Sequence, residues 1–240
     1  MKTYLKLVAA AALIATSAAA TAGPKAVDTS DIIKKVTPLL NGLAVEKIVP
    51  TDHAGLYEIL TQQGLFYTDK AGSFVIFNGT MVDTKTKANL TDRRLEELIG
   101  HRFEDFPLQD AIKTVRGNGS RVMVTFEDPN CGFCKKLMQE AAKLDNVTTY
   151  TFLIPILGPD SAVKAKAIWC SSNPSKTWND FMGSNTPLPT TVSANCEVPF
   201  ERNLALQRKL HVNGTPAMYF KNNATAKGYI TASEIEAKLN

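Results

Sequence analysis

The stretch from Arg121 to Ala142 constrains the fold more than any other part of the chain. Arg121-Val122-Met123-Val124-Thr125-Phe126 is a nearly continuous apolar run, the kind of strand buried on both faces of a sheet. A short loop leads to Cys131-Gly132-Phe133-Cys134. From Cys134 the apolar residues Leu137, Met138, Ala141 and Ala142 recur at helical spacing, with Lys135, Lys136, Gln139 and Glu140 opposite. A second strand follows at Thr149–Ile154. A mainly helical stretch then runs from Pro159 to Leu210, and strands return at Ala217–Phe220 and near Tyr229. Thr231 and Glu234 have capping-box spacing before a last helix that buries Ile235 and Leu239. Strand, helix, strand, helices, hairpin and helix fit an α/β layer fold.

The cysteine spacing has a chemical meaning in this setting. At a helix start, unsatisfied N–H groups and the helix dipole favour a thiolate at Cys131. Gly132 and Phe133 keep the thiols close enough to join across one turn. Cys134 lies on the apolar face, so Cys131 is the predicted nucleophile and Cys134 the resolving thiol. A fall of the Cys131 pKa from about 8.5 to about 6 raises its thiolate fraction at pH 7 roughly 30-fold. The accompanying loss of nucleophilicity is about 13-fold, so the net gain in attack is only about twofold. The larger gain is on exit, because a low-pKa thiol leaves a mixed disulfide readily.

Two other readings of the pair remain open at this stage. Half of a zinc site is one, but no second Cys-x-x-Cys exists and His53, His101 and His211 are scattered. An inert disulfide is the other, but so small a loop stabilises little. Cys170 and Cys196 are read as a structural bridge rather than a second catalytic pair, because neither has a neighbouring cysteine or a helix-start context. Closing a loop of that length is worth roughly 3 kcal/mol in the chain-entropy model. No metal or cofactor is expected.

The first 22 residues read as a secretory signal peptide: Lys2 and Lys6, an apolar run from Leu7 to Ala15, and an Ala20-Thr21-Ala22 ending. The run is about half the roughly 20 residues that span a bilayer, so no membrane insertion of the mature chain is expected. Removing two lysines takes the formal net charge from +4 to about +2, too little to argue for nucleic acid or an anionic membrane. The Ala237-Lys238-Leu239-Asn240 ending is not an ER-retention signal. The bacterial periplasm, where disulfides persist, is the expected compartment.

Three regions are expected after residue 22. Residues 23–88 are short-stranded, with Gly64–Tyr67 and Ser73–Phe77 as strands and Asn78-Gly79 as a turn. They carry few large apolar residues and need a partner, such as a second copy of the chain. Residues 89–108 form a polar linker helix with Thr91 as N-cap and Pro107 ending or redirecting it. Residues 109–240 hold the larger core, with a helical insertion over 159–210.

Asp128-Pro129-Asn130-Cys131-Gly132-Phe133-Cys134-Lys135-Lys136-Leu137, Ala167-Ile168-Trp169-Cys170 and Val212-Asn213-Gly214-Thr215-Pro216-Ala217 together resemble the DsbC/DsbG family of periplasmic disulfide isomerases. The resemblance implies a thioredoxin-like catalytic domain with a helical insertion, preceded by a small α+β (cystatin-like) dimerisation domain and a helical linker. It implies a homodimer that reshuffles disulfides in misfolded exported proteins, with chaperone-like binding, and a membrane reductase, DsbD, that keeps Cys131 and Cys134 reduced. It marks Thr215-Pro216 as a cis-proline loop that holds the substrate chain, with Gly132 and Phe133 as further substrate contacts. Within the same chemistry stand a DsbG-like sulfenic-acid reductase or holdase and a net dithiol oxidase. Thioredoxins carry a buried acid six positions before the nucleophile, but Thr125 stands there. Glu127 or Asp128 could take the Cys134 proton, but both are expected to be solvated, so the acceptor is left unassigned.

Overall fold

The computed structural model describes residues 28–191, 193 and 195–240, so the expected signal segment lies outside the described residues. Among the described residues, no helix is long and apolar enough to cross a membrane.

The first unit is a three-stranded antiparallel sheet: β1 (Lys47–Pro50), β2 (Leu56–Thr61) and β3 (Gly64–Asp69), in the order β1-β2-β3. Its two faces are covered by different helices. Tyr57, Ile59 and Phe66 pack on Ile32, Val36 and Leu40 of α1 (Ser30–Val36) and the turn after it. Leu60, Leu65 and Tyr67 pack on Leu95 of α2 (Leu90–Ile99). Covering both faces explains why β2 and β3 are buried almost throughout rather than alternating.

Four local expectations are corrected here. Ser73–Phe77 is not a strand: only Ile76 pairs, with Tyr67, in an isolated bridge. An extended segment becomes a strand only where a neighbour pairs with it along its length, and Phe74 and Phe77 are left exposed. The cap of α2 is Asn89, whose side chain accepts the Asp92 N–H; Thr91 Oγ1 instead accepts the Met81 N–H at 2.8 Å and bonds the Tyr67 hydroxyl at 2.7 Å. Pro107 does not end α2, because Gly100 already closes it in the left-handed region at φ +62°. Near Tyr229 the strand falls earlier, at Thr225–Lys227.

The second unit is a five-stranded sheet in the order β4-β6-β5-β7-β8, from β4 (Ile112–Arg116), β5 (Arg121–Glu127), β6 (Val147–Leu153), β7 (Ala217–Phe220) and β8 (Thr225–Lys227). Only β5 and β6 run parallel. The apolar run of β5 lies at the centre. Val124 and Phe126 face a cluster with Phe106, Phe152 and Tyr219, over which the end of α6 (Phe200–Lys209) packs. Met123, on the other face, meets Leu137 of α3 (Gly132–Ala141) and Ile235 of α7 (Ala232–Leu239). Phe126 and Phe152 are fully buried, each worth about 1.5–3 kcal/mol of transfer free energy. Thr231 and Glu234 form the capping box of α7. Two more helices, α4 (Pro159–Trp169) and α5 (Pro174–Ser184), complete the helical stretch before α6.

The two units touch through α2 and the hairpin. Lys227 Nζ reaches Asp92 at 2.8 Å, Thr225 bonds Glu96, and Asn213 Nδ2 donates to the Gln63 carbonyl oxygen at 2.9 Å.

Candidate active site

Cys131 caps α3. Its backbone is extended (φ −77°, ψ 111°) and its sulfur accepts the Cys134 N–H at 3.1 Å, a position usually held by Ser, Thr, Asp or Asn. Gly132 and Phe133 form the exposed first turn, with Phe133 58% exposed and Lys136 Nζ 5.2 Å above its ring. Both thiols are buried and free.

Across the sheet, the Thr215–Pro216 peptide is cis and sits beside the cysteine pair. The Cys131 sulfur lies 3.3 Å from the Thr215 carbonyl oxygen, to which it donates when protonated. Pro216 is buried and Thr215 half-buried, while Gly214 and Asn213 are exposed. The fold therefore brings Cys131, Gly132, Phe133, Cys134, Thr215 and Pro216 together. It places Cys170 and Cys196 elsewhere, as a disulfide with S–S 2.00 Å that ties the end of α4 to the loop before α6.

The two thiols are driven in opposite directions. Cys131 is lowered to about 6, first because the Cys134 thiol donates a hydrogen bond to it. Burial opposes that shift, while the Thr215 side chain and the N–H groups of Cys134 and Phe133 add to it. The helix start thus contributes, as the sequence predicts, but the partner thiol contributes more. Cys134 is pushed up, chiefly by burial, then by its donated hydrogen bond and the nearby Glu127 charge. At neutral pH the site holds one thiolate, on Cys131, and one thiol.

Glu127 and Asp128 are not solvated. Both are buried, at 3% and 0% exposure. Asp128 Oδ2 accepts the N–H groups of Ile156 and Leu157 at 2.8 and 2.9 Å. Its Oδ1 accepts Ser161 Oγ at 2.8 Å and the Asn130 N–H at 2.7 Å. It anchors the loop before α4 to the loop carrying Cys131. Glu127 shares a strand face with Thr125 and Met123 by period-two alternation. That alternation was the available signal for its burial under α3.

The thioredoxin-like domain family matches residues 108–240, and the family described as "Disulfide bond isomerase protein N-terminal domain" matches residues 17–92. A Bordetella pertussis protein, "Probable thiol:disulfide interchange protein DsbC", is 45% identical over 185 residues, covering 77% of this chain and 65% of that protein. Its Bordetella avium namesake is 37% identical over 211 residues, covering 88% of this chain and 74% of that one. A solved disulfide interchange protein from Neisseria gonorrhoeae superposes with a TM-score of 0.52 at 39% identity, covering 55% of this chain and 94% of that chain. With a thioredoxin-like domain that presents Cys131 and Cys134 beside a cis-proline, behind an N-terminal domain of the matching type, this chain belongs to the DsbC family of thiol:disulfide interchange proteins.

Proposed function

We propose that the chain is a periplasmic protein disulfide isomerase, acting as a homodimer on misfolded exported proteins. The observation that carries this reading is the sulfur of Cys131, lowered to about 6 and set against Thr215 beside the cis-proline. A thiol poised in that range both attacks and leaves at neutral pH.

The Cys131 thiolate attacks one sulfur of a substrate disulfide. A Cys131–substrate bond forms, and the other substrate sulfur departs as a thiolate. The freed thiolate then attacks a different disulfide of the same substrate. A substrate thiolate finally displaces Cys131 as a thiolate, so no net electrons move. When rearrangement stalls, Cys134 attacks the Cys131 sulfur and frees the substrate reduced. The cysteine pair is then oxidised and needs two electrons, which the membrane reductase DsbD would supply. The backbone beside Thr215–Pro216 suits pairing with an extended chain, and exposed Phe133, Ile156 and Leu157 suit its apolar side chains. Exposed Phe74, Ile76 and Val82 support dimer formation through the N-terminal unit.

The test is rearrangement of a scrambled multi-disulfide substrate. Cys131→Ala should abolish it, and Cys134→Ala should retain some shuffling while accumulating mixed disulfides. Full activity in Cys131→Ala, or a cysteine pair that is mostly oxidised in the periplasm, would overturn the isomerase reading; the latter would favour a net oxidase.

A further inference from the structure

Helix α6 ends in a Schellman motif: the His211 N–H donates to the Arg208 carbonyl oxygen and the Val212 N–H to that of Gln207, both at 3.0 Å. His211 holds the left-handed position of that motif, at φ +51°, where glycine is the usual residue because a Cβ is strained there. A side chain kept at such a position points to a task for it. The imidazole is buried, with 4% of the side chain exposed, and its Nε2 lies 3.3 Å from Oε2 of Glu46. Glu46 belongs to the N-terminal unit. Its N–H donates to the Leu60 carbonyl oxygen, and its Oε1 accepts the side chain of Gln62 in the β2–β3 turn. Two residues beyond His211, Asn213 Nδ2 donates to the carbonyl oxygen of Gln63 in the same turn at 2.9 Å.

The tip of one unit thus holds a loop of the other at two points. Further along that loop, the Thr215 carbonyl oxygen lies 3.3 Å from the Cys131 sulfur. Packing leaves one side of the loop unsupported, because residues 210–215 line a cavity of about 190 Å³ together with Leu95, Ile99 and His101. Atoms that face a void have no contacts on that side, so the polar contacts to Glu46 and Gln63 carry much of the positioning.

We propose that His211 is a positioning residue: through Glu46 it fastens the 211–215 loop to the N-terminal unit and so sets the backbone that receives a substrate chain beside Cys131. This rests on the reading of that backbone as the place where an extended substrate chain pairs. His211 acts through Asn213, Gly214 and Thr215. The first two are exposed and Thr215 is half-buried, so their backbone is open to a partner strand. The N-terminal unit then has a direct part in substrate capture, since Glu46 and Gln63 steady the edge on which the chain docks.

Kinetics of the reduced full-length protein with two disulfides test this. One is an extended peptide whose cysteine carries a mixed disulfide, and the other a small nitrobenzoate disulfide with no chain to pair. E46A and H211G should each raise the half-saturating peptide concentration about tenfold. The maximal peptide rate and the small-disulfide rate should stay within about twofold of wild type. H211G supplies the residue that φ +51° favours, and E46A leaves the loop sequence intact. The double variant should be no worse than the worse single variant, because both changes remove one contact. Additive losses, a peptide response that matches wild type in both variants, or equal slowing of both disulfides would each overturn the proposal. Wild type should also bind the peptide more weakly when it is N-methylated beside its cysteine. If it does not, pairing of the loop with substrate fails, and the proposal with it. If N-methylation weakens binding to wild type while E46A and H211G do not, only the role of His211 fails.

Discussion

The Cys131 sulfur accepts the backbone N–H of Cys134 at 3.1 Å, so the helix that carries the second thiol is capped by the first. Capping and chemistry are the same contact: a hydrogen bond that ends a helix with a sulfur also stabilises negative charge on it.

The pH dependence of alkylation should follow that charge. With Cys131 lowered to about 6, its reaction with iodoacetamide should rise from pH 5, reach half its plateau near pH 6 and flatten above pH 7. Cys134 should stay unreacted over this range because its thiol is pushed up. Peptide mapping of the alkylated protein reads both outcomes.

Glu127 should make folding stability fall with rising pH. Its carboxyl is raised to about 8 from an unfolded value near 4.5, so its contribution is full below the unfolded value and is lost as pH climbs through 8. Urea unfolding of E127Q and wild type should therefore show the difference shifting in the variant's favour between pH 4.5 and pH 8. A constant difference would mean Glu127 does not titrate over that interval.

Asp128→Ala should remove the four hydrogen bonds that tie Ile156, Leu157, Ser161 and Asn130 together. Losing the buried Ser161 contact and three part-buried N–H contacts costs about 2–4 kcal/mol in total, readable by chemical denaturation. Because Asn130 precedes Cys131, the alkylation midpoint of Cys131 should shift as well.

Replacing both Cys170 and Cys196 by alanine should lower stability by about 3 kcal/mol, the value for a loop of this length. The bond spans 26 residues and joins the end of α4 to the loop before α6, which has no strand or helix among its described residues. A thermal melt with and without reductant gives the comparison, since reduction of wild type should approach the double variant.

Phe74→Asp with Val82→Asp should place charge on the exposed apolar face of the N-terminal unit. Sedimentation should shift from dimer to monomer, and scrambled-substrate activity should fall while Cys131 alkylation is unchanged. A dimer that survives both charges would locate the interface elsewhere.

What could be read from the sequence was local. The apolar β5 run, the Cys131/Cys134 pair opening an amphipathic helix and the Thr231/Glu234 box each specify themselves within about one or two turns of chain. What could not be read depended on distant partners. The β2–β3 hairpin turns over Gln62-Gln63 and puts its positive φ of 119° on Gly64, so no turn dipeptide announced it. Ser73–Phe77 has the composition of a strand but finds only one pairing residue. Glu127 and Asp128 look solvated because acids usually are. Burial under α3 and the 156–161 loop made one an isolated acid and the other an anchor. The sequence alone separated the Cys131/Cys134 pair, which the structure leaves free, from Cys170 and Cys196, which it joins. Tertiary packing decided which charges surround them, because desolvation and hydrogen bonding to a buried group come from segments far away in the chain.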